Sequence, residues 1–162
     1  MKSNKLIKKL ENEGKLKKQK VGFIQIEKLL KEAIIDLSEA KKICLLSDRA
    51  TYIMAYMAML KAGRALLLTE GYVPDDGAQH KTVVEVTTHI LGDEYQALTG
   101  QFERMRRKRN EMTYEVSGLL SKTESEKALN DAISLVKKIL DEVKTRNPQI
   151  EFKFEFEEKK TD

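Results

Sequence analysis

The segment Arg106-Arg107-Lys108-Arg109-Asn110-Glu111-Met112-Thr113-Tyr114 holds the residues best suited to chemistry. Five basic side chains fall within 104–109 (Arg104, Arg106, Arg107, Lys108 and Arg109), directly ahead of Asn110 and Tyr114. Guanidinium groups bind phosphates and carboxylates through paired N–H donors, so a run of this kind suggests anion binding. Helical phase sorts the charges. On a heptad grid over 94–117 the inward positions are Tyr95, Leu98, Phe102, Met105, Arg109, Met112 and Val116, all apolar apart from Arg109. A guanidinium on an inward stripe must be partnered or must line a cleft, because burying it alone is costly. Arg104, Arg106, Arg107 and Lys108 are expected to face solvent. Asn110 and Tyr114 are four residues apart and share a face, with Arg107 one turn earlier. Arg109 and Tyr114 lie about 140° apart around the helix and can flank a groove from two sides. The structural alternative pairs Arg109 with a core-edge carboxylate such as Glu85 or Asp48, while Asn110 and Tyr114 satisfy backbone groups.

Other candidate groups are few. His80, at the start of a predicted helix, supplies an imidazole if that helix reaches the cleft; otherwise it caps the helix or sits in a loop. His89, deeper in the same helix, is expected to pack or face solvent. The single Cys44 excludes an intrachain disulfide and a Cys-rich zinc site. There is no Glu-x-x-His motif, no Gly-rich phosphate loop and no G-x-S-x-G elbow, so neither a metal nor a cofactor is expected.

Helices must position these groups. With two Pro and eight Gly in 162 residues, the periodicity is helical almost throughout. A short Lys-rich helix is expected over 5–18, ending near Gly14. The first firm helix covers about 24–45, with Ile26, Leu29, Leu30, Ala33, Ile34, Leu37, Ala40 and Cys44 on one stripe, although "VGFIQI" has the β-branched content of a strand. A second helix over about 48–70 has Ser47 as N-cap and Gly71 past its end. Its segment "ATYIMAYMAML" is uncharged, which predicts a central helix packed on several sides. Its Tyr and Met residues read as packing. A third helix covers about 79–91 and stops at Gly92. Asp93 is expected to cap a fourth over about 94–117. Thr123 and Glu126 form a capping-box pattern opening a fifth over about 124–146, with Leu129, Ile133, Val136, Leu140 and Val143 inward. The tail "QIEFKFEFEEKK" alternates with period two, a strand signal over 150–156 that needs an edge to pair with: "VGFIQI", a dimer mate or another protein. The predicted fold is all-α, an antiparallel four- to five-helix bundle with a short C-terminal β-strand. Its organisation is a basic arm over 1–20, a bundle over 21–146 and a tail over 147–162.

The net charge of +4 is uneven. Residues 1–20 carry +6 and 146–162 carry −1, leaving −1 on residues 21–145. The basic arm either attracts nucleic acid or an anionic membrane surface, or is a solvated, partly frayed terminus. No apolar run approaches the roughly 20 residues needed to span a bilayer, and the start has no apolar h-region. No membrane role and a cytoplasmic location are expected.

Three segments in order resemble one family. "RNEMTY" is similar to the R-N-x-x-x-H signature of HEPN domains, with Tyr114 where His is usual. "ATYIMAYMAMLKAGRALLLTEGYVP" looks like the second HEPN helix and its following loop, and "GAQHKTVVEV" is similar to the His-containing start of the third. The resemblance covers about residues 24–145. It implies a bundle that dimerises with the motif helices of two subunits facing one cleft. It also implies RNA- or nucleotide-directed activity, often a metal-independent endoribonuclease of a toxin–antitoxin or defence system, with a nucleotidyltransferase as the antitoxin. Carried over, Arg109 clamps the scissile phosphate, Asn110 orients the site, and Tyr114 takes the place of the acid–base His. Arg106, Arg107 and His80 then contact nucleic acid. Tyr titrates near 10 and His near 6.5, so Tyr114 is a donor rather than a base at neutral pH. The alternative is a non-catalytic dimerisation or partner-binding module.

Overall fold

A computed structural model describes residues 2–75, 79–114 and 119–150, with the side chains of Lys2, Ser3, Thr113 and Tyr114 outside that description. Six helices and one pair of short strands follow in order: α1 (Lys2–Asn12), β1 (Leu16–Lys18), α2 (Phe23–Ile43), α3 (Asp48–Thr69), β2 (Tyr72–Pro74), α4 (Gln79–Leu91), α5 (Gln96–Tyr114) and α6 (Lys122–Arg146). A 3-10 turn, Asp93–Tyr95, precedes α5. This is the all-α bundle the periodicity predicts.

The uncharged middle of the second helix determines the architecture. Tyr52, Ala55, Tyr56, Ala58, Met59 and Leu60 are all buried, so α3 can be covered on most sides. It packs against α2, α4, α5 and α6. Ser47 caps it as expected, its Oγ accepting from the Ala50 N–H at 3.1 Å. Such a cap contributes about 1 kcal/mol. At the other end Gly71 takes φ 85°, a left-handed conformation that stops the helix and turns the chain into β2. Where α3 crosses α4, Gly63 brings the backbones close: a Cβ there would lie 2.7 Å from Val83 Cγ1 and 3.0 Å from Thr87 Oγ1.

Four details differ from the periodicity. The basic N-terminal segment is not a frayed arm. Its helix ends at Asn12, Ile7, Leu10 and Leu16 enter the core, and α1 packs on α4. Its lysines pair locally, Lys15 with Glu13 at 3.2 Å and Lys18 with Glu11 at 3.8 Å, contacts worth little in water. Second, β1 pairs antiparallel with β2 in the register Leu16↔Pro74, Lys17↔Val73 and Lys18↔Tyr72. The "VGFIQI" segment is no strand: α2 starts at Phe23, with Ile26 as its first inward residue. Third, Asp93 caps nothing. Gly92 at φ 79° leads into the 3-10 turn, and no side chain bonds the exposed N–H groups there. Fourth, α6 begins two residues before the Thr123 pattern. Ser121 and Glu124 form an overlapping S-x-x-E, and the Ser121 Oγ accepts from the Glu124 N–H at 3.0 Å.

The predicted stripe of α6 is observed, with Leu129, Val136, Leu140 and Val143 buried and Ile133 packed against the core. Ile150 is buried, while the rest of the alternating segment 150–156 lies outside the described residues. Among the described residues no helix is long and apolar enough to cross a membrane.

Candidate anion-binding site

Helix α5 keeps the predicted phase. Phe102, Met105 and Met112 are buried, and Arg109 is half-buried between the last two. The basic run around it is not uniformly solvated. Only 15% of the Arg106 side chain is exposed, against 72% for Arg107. Arg106 donates to both oxygens of Glu103, from Nε at 2.9 Å and Nη2 at 2.7 Å, a fork-to-carboxylate pair. Arg107 donates to the same carboxylate from outside at 3.0 Å. These bonds, that of Arg106 first, hold the Glu103 carboxyl below its ordinary range. Arg104 bonds Gln101 at 3.0 Å, and Lys108 reaches Glu124 of α6 at 2.6 Å. The expectation that Arg106 faces solvent is therefore corrected. It sits three residues before Arg109, hence on the same face.

Helix α4 brings its first turn to this face. His80 Nδ1 lies 2.8 Å from Tyr56 Oη, with ring centroids 5.8 Å apart. Tyr56 is fully buried and also packs on Phe102 of α5 at 6.0 Å. Burial pushes the Tyr56 phenol up to about 12 against the opposing fields of Arg109, Arg106 and Arg64. The same surroundings hold His80 below its ordinary value: burial first, then Arg64, Arg109 and Arg106. Three guanidinium groups, one from α3 and two from α5, thus act on a single phenol–imidazole pair. A neutral imidazole among guanidinium groups suits an anion; burial depresses its basicity first and the guanidinium charges add to that.

Two residues of this cluster escaped the sequence reading. Tyr56 reads as packing, which it is, but a buried phenol also needs a hydrogen-bond partner. That requirement was the available signal for His80. Arg64 follows the apolar run of α3, and nothing in its spacing marks it. Of the motif residues, Asn110 is half-buried, without a side-chain hydrogen bond among the described residues. Tyr114 is the last residue of α5, and its side chain lies outside the description. His89, nine residues after His80 and so on the opposite side of α4, borders a cleft of about 800 Å³ between α1, α4 and α5, which Lys15, Lys81, Asp93 and Glu103 also line. No group of three or more His, Cys, Asp or Glu side chains that could hold a metal ion occurs among the described residues.

Helices α3, α4 and α5, which build this cluster, lie within the span matched by the family model for the HEPN domain, residues 26–145, which runs from the first turn of α2 to the end of α6. The chain belongs to the HEPN family. No curated protein sequence matches it. In this HEPN chain α1 and β1 precede the matched span, so the two-stranded sheet joins a segment outside the family core to β2 within it. The Tyr56–His80 contact falls wholly inside the HEPN span and joins two of the segments that resemble the family.

Proposed function

We propose that this HEPN protein binds RNA by its phosphate backbone, at a site formed by Arg109, Arg106, Arg64 and His80 with Asn110 and Tyr114 beside it. The observation that carries the proposal is geometric: the Tyr56–His80 contact at 2.8 Å and the packing of Tyr56 on Phe102 bring the first turn of α4 beside the face of α5 that carries Arg106 and Arg109. Family membership favours RNA over other anions. Arg107, exposed on the flank of α5, adds to the attraction of the backbone on approach. Five Tyr, five Phe and no Trp give few stacking platforms, so binding is insensitive to sequence. The proposal extends to a cytoplasmic homodimer with α5 of two subunits at one cleft, and to a nucleotidyltransferase antitoxin as protein partner.

Fluorescence anisotropy with a short labelled single-stranded RNA in EDTA tests this. Binding is expected, falling with salt at a log–log slope near −2, since single strands give about −0.7 per phosphate neutralised and three guanidinium groups are offered. The RNA is expected to remain intact. Cleavage in EDTA that disappears in Arg109→Ala and Tyr114→Phe would instead make the site a metal-independent ribonuclease. Absence of salt-sensitive binding would remove the proposal.

A partner-docking module is favoured by one feature. Leu45, Leu46 and Leu119 are exposed at one end of the bundle. There the Ser125 hydroxyl donates to the Asp48 carbonyl at 3.0 Å, and Arg49 donates to the Met112 carbonyl at 3.0 Å. Large exposed apolar side chains that form one patch mark protein contacts, and Leu45, Leu46 and Leu119 each lie in a connection that leads into this end. This end includes Met112, between Asn110 and Tyr114 on α5, so a docked partner would border the proposed RNA site.

A further inference from the structure

We infer that Tyr56 is a positioning residue that fixes His80 as a neutral imidazole with its proton on Nε2, making His80 a hydrogen-bond donor to a bound phosphate oxygen rather than a general base. The inference rests on the phosphate-site proposal only for the identity of the anion.

Two arrangements fit the 2.8 Å separation of Tyr56 Oη and His80 Nδ1. Either the phenol donates to Nδ1, or Nδ1–H donates to the phenol oxygen. Tyr56 is fully buried, and Oη has no other hydrogen-bond partner among the described residues. If Nδ1 carried the proton, the phenol hydrogen would have no acceptor among the described residues, and a buried donor left so costs about 1–3 kcal/mol. Intrinsic strengths favour the same direction: a phenol is a stronger donor than a neutral imidazole N–H, and an imidazole nitrogen is a stronger acceptor than a phenol oxygen. With Nδ1 accepting, neutral His80 must carry its hydrogen on Nε2.

Imidazolium is disfavoured for the same reason. It donates from both nitrogens and would strand the phenol proton. The charges around His80 act in that direction too. Arg64 lies on α3, Arg106 and Arg109 on α5, and the nearby carboxylate, Glu103, is already taken up by Arg106 and Arg107. The three guanidinium groups and the His80 Nε2–H are then all donors. Such a site takes an oxyanion whose oxygens accept, and it offers no base at His80 for a 2′-hydroxyl.

Long-range proton–nitrogen NMR on the full chain, with His80 assigned through His80→Gln, reads this directly. The expected spectrum has a protonated Nε2 and an unprotonated, hydrogen-bonded Nδ1, with a titration midpoint below the ordinary 6.5. Tyr56→Phe keeps the packing ring and removes the hydroxyl; the midpoint is expected to rise toward 6.5 and both tautomers to appear. Inorganic phosphate is expected to shift the His80 Nε2–H signal of the wild type. A proton on Nδ1 in the wild type, or a midpoint at or above 6.5, would overturn the inference, and neither reading requires Tyr56→Phe to fold. The Nε2–H form without a phosphate response would support the Tyr56 lock and overturn the phosphate site.

Discussion

Arg109→Ala is expected to weaken single-stranded RNA binding at low salt by about 10- to 100-fold. Hydrogen bonds to charged groups contribute about 1.5–3 kcal/mol, and 1.4 kcal/mol is tenfold in affinity. The residue is half-buried on the stripe that carries the buried Met105 and Met112, and partial removal from water strengthens the attraction of a charge for an anion. The salt slope is expected to flatten by about 0.7, the loss of one neutralised phosphate. Arg106→Ala should also weaken binding, and it leaves the Glu103 carboxylate, which Arg106 holds through two nitrogens, to Arg107 alone. Arg107→Ala, on an exposed side chain, should change the slope with a smaller loss of affinity. Anisotropy titrations at several salt concentrations distinguish the three. An Arg109→Ala protein that binds as tightly as the wild type, with an unchanged slope, would contradict the site.

Gly63→Val is expected to destabilise the fold by about 3 kcal/mol, the upper part of the range for overpacking a close-packed core. The Cβ alone would sit inside normal contact distance of Val83 and Thr87, and a branched side chain must displace α4 from α3. For a chain of this size about 2–4 °C of melting temperature is lost per kcal/mol, so a drop of roughly 6–12 °C is expected. There is also a functional consequence. Gly63 lies seven residues after Tyr56 on the same side of α3, and His80 is on α4. Prising the helices apart lengthens the Tyr56–His80 contact, so the His80 NMR signature should move toward that of Tyr56→Phe. An unchanged melting temperature would show that α3 and α4 do not meet closely at Gly63.

Local signals in the sequence were sound where a short stretch decides the outcome. Ser47 and Gly71 bound α3 because capping and left-handed φ depend on a few neighbouring residues. The phase of α5 is observed at Phe102, Met105 and Met112, while Tyr95 and Leu98 are only partly buried, Thr99 and Gln101 are buried as well, and Val116 lies outside the described residues. The errors arose where two local patterns compete or where packing decides. Ser121 and Thr123 each begin a capping pattern, and the choice of Ser121 accompanies burial of Ser125, whose hydroxyl donates to Asp48. The Lys-rich N-terminus was read by its charge, yet Ile7, Leu10 and Leu16 fix its position. The Tyr56–His80 bond spans 24 residues and exists only because Gly63 lets two helices approach, a condition that no spacing rule records. Arg106 leaves the solvated face through its pairing with Glu103 one turn back, an i,i+3 neighbour that the spacing itself offers.

The most direct test is a crystal structure of the protein with a short RNA made resistant to cleavage by 2′-O-methylation. A backbone phosphate is predicted within hydrogen-bond distance of the Arg109 guanidinium and of His80 Nε2, with the Tyr56–His80 contact intact. RNA seated elsewhere, for example along the lysines of α1, with Arg109 and His80 untouched, would contradict the site.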